Sequence, residues 1–166
     1  YSVAVDVLPD DFCANCEGLE IVAGTAVYSV DIDPVLPSNS SVNIEVEMSN
    51  GKDGRTSIAD IDNDGDLDAL VTSNDAANAS IAGIQIWDIQ TATYLVNVNN
   101  ISTGDGEISQ ANIADFDGDG QVEFGVCNKT LYTVYEWDGG AGLNTLWTLV
   151  TNDGSGQTGS TVFDFN

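Results

Sequence analysis

The chain contains no histidine. That removes Ser-His-Asp and Cys-His catalysis, histidine-ligated zinc and most general-base chemistry at neutral pH. Positive charge is nearly as scarce. Lys52, Arg55 and Lys129 stand against 27 acids in 166 residues, for a formal charge of −24. Phosphate binding needs clustered lysine and arginine, so nucleic acid is not expected as a partner, and neither is an anionic membrane surface. No apolar run approaches the roughly 18 residues of a membrane-spanning helix, so membrane insertion is not expected. No segment has helical periodicity.

What the chain does have is 42% hydrophobic residues, enough for the core of one domain of ordinary size. A compact fold this acidic repels itself unless cations neutralise part of the charge, so divalent cations are the natural partner. Asn, Asp, Ser, Thr and Gly dominate the loops while lysine is scarce, which reads as an extracellular or cell-surface protein.

The acids are concentrated in a repeat. Ile58-Ala59-Asp60-Ile61-Asp62-Asn63-Asp64-Gly65-Asp66-Leu67-Asp68 matches Ile113-Ala114-Asp115-Phe116-Asp117-Gly118-Asp119-Gly120-Gln121-Val122-Glu123, with Asp60 and Asp115 lying 55 positions apart. A third copy opens at Val162-Phe163-Asp164-Phe165-Asn166, and a degraded one is read at Asp11 to Glu20, with one inserted residue. After each motif come strand-like runs at 20–24, 68–74 and 123–128, then at 27–31, 84–88 and 131–138, then at 42–49, 94–99 and 145–152. In the first of these third runs, Val42, Ile44, Val46 and Met48 alternate with Asn43, Glu45, Glu47 and Ser49, the period of a half-buried strand. Trp87-Asp88 and Trp137-Asp138 read as equivalent positions. With the run into each motif (57–61, 112–116), every period holds four strands.

Four strands per period of about 50 residues describe a β-propeller blade. The expected fold is all-β: about three four-stranded antiparallel blades, forming part of a larger propeller over residues 1–166. The blades are placed at 1–50 (with a degenerate calcium loop), 51–104 and 105–156, with the next beginning at 157–166. Propellers typically need four to eight blades, so further blades of the same or another chain are expected to complete the ring.

The motif, Asp-x-Asp-x-Asp-Gly-x-x-Asp/Glu, brings oxygens at alternating positions onto one cation when the chain curls. Gly65 and Gly120, at the sixth position, permit the sharp turn. Asp66 and Gln121 can offer backbone carbonyls, and Asp68 and Glu123 close the shell. A hard, all-oxygen site favours Ca²⁺ over Zn²⁺, which prefers nitrogen and sulfur, and over Mg²⁺, which needs a tight octahedron. An EF-hand is excluded, because its twelfth position would be Val71 or Val126, each inside a strand.

These motifs resemble the FG-GAP and VCBS type repeats that build the propellers of integrin α-chains and many bacterial surface proteins. The resemblance covers most of the chain. It implies structural calcium between the first and second strands of a blade, held by Asp60, Asp62, Asp64, Asp66 and Asp68, and by Asp115, Asp117, Asp119, Gln121 and Glu123. Asp164 and Asn166 match the first and third positions of a further site. In the degraded copy, Cys13 stands where the second Asp is expected, Asn15 where the third is, and Cys16 follows. A Cys13–Cys16 disulfide is expected to hold that loop in place of a metal, the alternative being a redox pair. Cys127 reads as a small buried hydrophobe.

No catalytic residue is assigned. The expected function is a non-catalytic extracellular calcium-binding module for adhesion, with a glycan or a surface protein as partner. A calcium-dependent polysaccharide lyase-like propeller enzyme and a structural assembly subunit are the alternatives. Trp87, Tyr135, Trp137 and Trp147 are expected to pack between blades rather than face a sugar, and Lys52, Arg55 and Lys129 to sit on a solvated surface.

Overall fold

A computed structural model describes residues 2–13, 16, 18–74, 81–102, 108–128, 130–152 and 159–162. Asp164 and Asn166, Asn15 and Lys129 lie outside the described residues. The described chain is all-β apart from one 3-10 turn at Pro37–Asn39. Its twelve strands form three four-stranded antiparallel sheets. The first contains β1 (Val3–Val5), β2 (Glu20–Ala23), β3 (Ala26–Asp31) and β4 (Ser41–Glu47). The second contains β5 (Arg55–Ala59), β6 (Asp68–Asn74), β7 (Ile81–Asp88) and β8 (Thr93–Ser102). The third contains β9 (Asn112–Ala114), β10 (Glu123–Cys127), β11 (Leu131–Trp137) and β12 (Leu143–Val150). In every sheet the strands lie in chain order, each paired with the next.

The sheets pack face to face. One core joins the first and second through Val7, Leu8, Cys16, Val22, Val27 and Val46 on one side and Ala69, Val71, Trp87 and Ile89 on the other. A second core joins the second and third through Ile61, Leu70, Ile84, Ile86 and Val96 against Ile108, Ala111, Phe124 and Val126. The middle sheet is therefore covered on both faces, and this is why β6 is apolar or small on both sides, with Ala69 and Val71 directed to one core and Leu70 to the other. Between sheets the backbones approach through the opening strands, β5 lying beside β1, β2 and β9.

Trp87 is fully buried at the first interface, where its indole N–H donates to the Gly24 carbonyl at 3.3 Å. At the second interface polar bonds run beside the apolar core. Ser57 Oγ donates to Ala111 O (2.9 Å), Thr72 Oγ1 to Ser109 O (2.8 Å) and Gln110 Nε2 to Thr56 O (2.9 Å). Arg55, expected on a solvated surface, is half-buried here and donates from Nη1 to Ile108 O at 2.5 Å. Its planar fork can satisfy carbonyls inside an interface, which a short polar side chain could not reach.

Two further expectations need correction. In β4, the register shifts between Val27 and Tyr28, so that Val46 pairs with Val27 while Ile44 pairs with Tyr28. Glu45 is the extra residue of the bulge and its carboxylate accepts from buried Ser29 Oγ. Val46 and Met48 therefore enter the core, whereas Val42 and Ile44 are 62% and 55% exposed. Next, Ala69 pairs with Trp87 and Phe124 with Tyr135, so the counterpart of Trp87 is Tyr135, not Trp137. The β11 strand runs one residue further, to Trp137, before its turn. Trp147 is 42% exposed on the outer face of the third sheet, beside Phe116 and Tyr132, where it lines a groove with Ser160, Thr161 and Val162. Cys127 is buried in β10, as its place in a strand suggested.

Candidate metal centres

Each sheet begins with the same local device. A strand leads in, the chain loops, and the next strand opens on an acid whose carboxylate reaches back to the loop's backbone. In the second sheet Ala59 pairs with Asp68, and in the third Ala114 pairs with Glu123. Asp68 Oδ2 accepts from Ile61 N–H at 2.8 Å, and Glu123 Oε2 from Phe116 N–H at 2.5 Å. The first sheet does likewise: Val5 pairs with Glu20, whose Oε2 accepts from Val7 N–H (3.0 Å) and Leu8 N–H (3.3 Å).

This register corrects the alignment of the first loop. The residue after the strand in each case is Asp6, Asp60 or Asp115, so Asp6 rather than Asp11 occupies the first position. Fourteen positions separate Asp6 from Glu20, against eight in the other two loops. The extra length is an excursion that includes Cys13 and Cys16, which are disulfide-bonded with their Cα atoms 5.2 Å apart. The cysteines belong to an added segment and do not stand at ligand positions. Cys16 is fully buried in the first core, so the bond ties the excursion to that core.

Within the two acidic loops the carboxylates turn inward and hold the curl. Asp60 accepts from Asp64 N–H (3.1 Å, Oδ1) and Gly65 N–H (3.0 Å, Oδ2), while Asp64 Oδ1 accepts from Asp66 N–H at 2.9 Å. In the other loop Asp115 accepts from Gly118 N–H (2.6 Å) and Gly120 N–H (3.0 Å), and Asp119 Oδ1 from Gln121 N–H at 2.8 Å. Gly65 and Gly120 have φ of +101° and +94°, the left-handed conformation expected of the sixth position. The fourth position is left-handed too, with Asn63 at +61° and Gly118 at +81°. Sequence reasoning missed that requirement, although Asn and Gly are the residues that tolerate it best.

The clusters differ in membership. Asp60, Asp62 and Asp64 place carboxylate oxygens within 4.8 Å of one another, and Asp115, Asp117, Asp119 and Glu123 do the same. Asp68 is not part of the first group. Asp66 and Gln121 border separate clefts, Asp66 with Asp6, Val7 and Leu67, and Gln121 with Glu136, Trp137 and Asp138. Cys13, Cys16 and Glu45 also lie together, but a disulfide leaves no thiolate to bind a metal.

Burial dominates the electrostatics. It pushes the Asp68 carboxyl up to about 7, a shift opposed by the Ile61 N–H and reinforced by Asp62 and Asp88. Burial also raises Glu123, against the Phe116 N–H and with the three aspartates of its loop. Asp62 is raised by burial and then by Asp64. Glu123 is fully buried and its second oxygen, Oε1, has no hydrogen-bond partner.

Glu20, read from sequence as the last residue of the degraded motif, keeps that place in the fold although the first position moves from Asp11 to Asp6. Its signal was present, since it opens the run Glu20-Ile21-Val22-Ala23 as Asp68 and Glu123 open theirs. Comparison with protein-family models, with curated proteins and with solved structures finds no match to the chain.

Proposed function

We propose that this chain is a non-catalytic, calcium-binding β-propeller module of the FG-GAP and VCBS type, with the three sheets as three of its blades. The module acts outside the cell, presenting a rigid acidic surface to a glycan or to a surface protein. The radial arrangement is supported by the opening strand β5, which lies beside the opening strands of both neighbouring sheets, β1 and β9. Residues 159–162 add to this. Asn112 donates to Ser160 at the position where Ser57 meets Ala111 one sheet earlier, as though a further blade began there.

The observation that carries the calcium reading is Glu123. A fully buried carboxylate oxygen without a partner costs roughly 1–3 kcal/mol or more, and three aspartates around it add repulsion. A cation at that point removes both penalties. The donors are all oxygens, of carboxylates with backbone carbonyls available nearby, and they suit Ca²⁺. Bound Ca²⁺ would supply charge neutralisation and a fixed curl between the first two strands of a blade. Asp60, Asp62 and Asp64 would hold one ion, and Asp115, Asp117, Asp119 and Glu123 another.

At dissociation constants of roughly 10⁻⁴ to 10⁻³ M, millimolar Ca²⁺ adds about 0.4–1.4 kcal/mol per site. Calorimetric titration of EDTA-treated protein tests the reading. Two ions bound with a raised melting temperature are expected, and no bound ion would overturn it.

A further inference from the structure

We propose that the two loops are unequal cation sites: the 115–123 loop, closed by Glu123, fills first, and the 60–68 loop, left open by Asp68, fills only at higher concentration. The proposal rests on the calcium reading above and adds to it an order of filling and the residue that sets that order.

The two ninth-position acids differ by one methylene. Glu123 is long enough to do two things at once. Its Oε2 takes the Phe116 N–H while Oε1 stays free and lies with the carboxylates of Asp115, Asp117 and Asp119. Asp68 is shorter and committed elsewhere. Its carboxylate accepts from Ile61 N–H at 2.8 Å, and it stays outside the group formed by Asp60, Asp62 and Asp64. An incoming ion therefore meets four converged carboxylates in one loop and three in the other. Calcium affinity in oxygen cages rises with the number of charged ligands and with site rigidity. The backbone scaffold is matched. Both loops have a left-handed sixth-position glycine and a left-handed fourth position, and both have the first Asp bonded to the sixth-position N–H. They differ at the seventh position, where Asp66 stays outside its group and Gln121 carries no charge, and at the ninth, where Glu123 joins its group and Asp68 does not.

The test is a Ca²⁺ titration of the whole chain by calorimetry, with reciprocal swaps at the ninth position. The wild type is expected to give two steps whose Kd values differ by about tenfold or more. Glu123→Asp should weaken the tight step to the level of the other. Asp68→Glu should strengthen the weak step by about tenfold, a gain that misfolding cannot produce. Far-UV circular dichroism checks that Glu123→Asp retains its strands. Two ions binding with equal affinity, or an Asp68→Glu protein that binds no more tightly, would overturn the unequal sites while leaving the calcium reading intact. No ion binding at all would remove both.

Discussion

The first loop and the two acidic loops solve one problem in different ways. In all three a buried acid at the head of the second strand, Glu20, Asp68 or Glu123, clamps backbone N–H groups of the preceding loop. What closes the loop beyond that clamp differs. The 6–20 excursion is tied by the Cys13–Cys16 bond and has Val7, Leu8 and Cys16 in the core. The 60–68 and 115–123 loops have Ile61 buried in the core and Leu67 and Val122 packed against it, and their curls are held by carboxylates that bond to their own backbone. A covalent closure is indifferent to cations and sensitive to reductant. A carboxylate closure behaves in the opposite way, because its members repel one another until a cation arrives.

The sharpest way to break that contrast is to remove the cation. If each site is occupied at a hundredfold excess over its Kd, chelation costs about 2.7 kcal/mol per site, or roughly 5 kcal/mol for both. Thermal melts with and without EDTA should show a fall of several degrees, and the fall should be the same in reducing and non-reducing buffer. A melting temperature unmoved by EDTA would place the acidic loops in the same class as the first.

Next in size is the pH response of the calcium-free protein. Burial pushes the Asp68 carboxyl up to about 7 in the folded chain, against an ordinary value of 3.8. Between those values the unfolded chain has released its proton while the folded chain holds it, so stability falls as pH rises, by at most about 1.4 kcal/mol per pH unit. The decline should begin near pH 4 and level off above 7. Asp68→Asn keeps an oxygen for the Ile61 N–H and cannot ionise, so it should flatten the slope and raise the calcium-free melting temperature at pH 7.5. An unchanged slope in this variant would assign the response to other acids.

Breaking the covalent closure should cost less. A four-residue disulfide loop contributes about 2 kcal/mol by the chain-entropy relation. Cys13→Ser with Cys16→Ser should lower the melting temperature by that amount in EDTA and in saturating Ca²⁺ alike. A loss that appears only in EDTA would mean that the first loop is energetically coupled to the acidic ones.

What could be read from sequence and what could not follows from the range of each interaction. The strands around the motifs were legible because alternation and β-branched runs are local signals, and β6 occupies 68–74 as the spacing suggested. The sixth-position glycines were legible for the same reason. The first loop was misaligned because its cysteines and Asp11 resemble a damaged motif, whereas strand pairing, a contact across fifteen positions between Val5 and Glu20, fixes Asp6 as the first position. The extra turn of register that makes Tyr135 the partner of Phe124, and the bulge at Glu45, are likewise properties of pairing and leave little trace in composition. The division of labour between Asp68 and Glu123 was hidden because both satisfy one motif position. Only the fold shows that one side chain is consumed by the backbone and the other is not.

The smallest expected effect isolates the curl from the ligands. At Gly65 and Gly120 an added Cβ would meet no atom within 4 Å, so an alanine there is opposed by backbone conformation alone. Holding a non-glycine residue in the left-handed region costs roughly 1–2 kcal/mol. Gly120→Ala and Gly65→Ala should each lower the melting temperature by a few degrees in EDTA, and by similar amounts, since their φ values differ by little. In Ca²⁺ the two should separate. If four carboxylates grip the ion in the 115–123 loop, binding there holds the strained curl in place, and the Gly120→Ala protein should regain more of its stability on adding Ca²⁺ than the Gly65→Ala protein. Equal recovery in the two variants would mean that the loops hold their ions equally well and that the length of the ninth side chain does not matter.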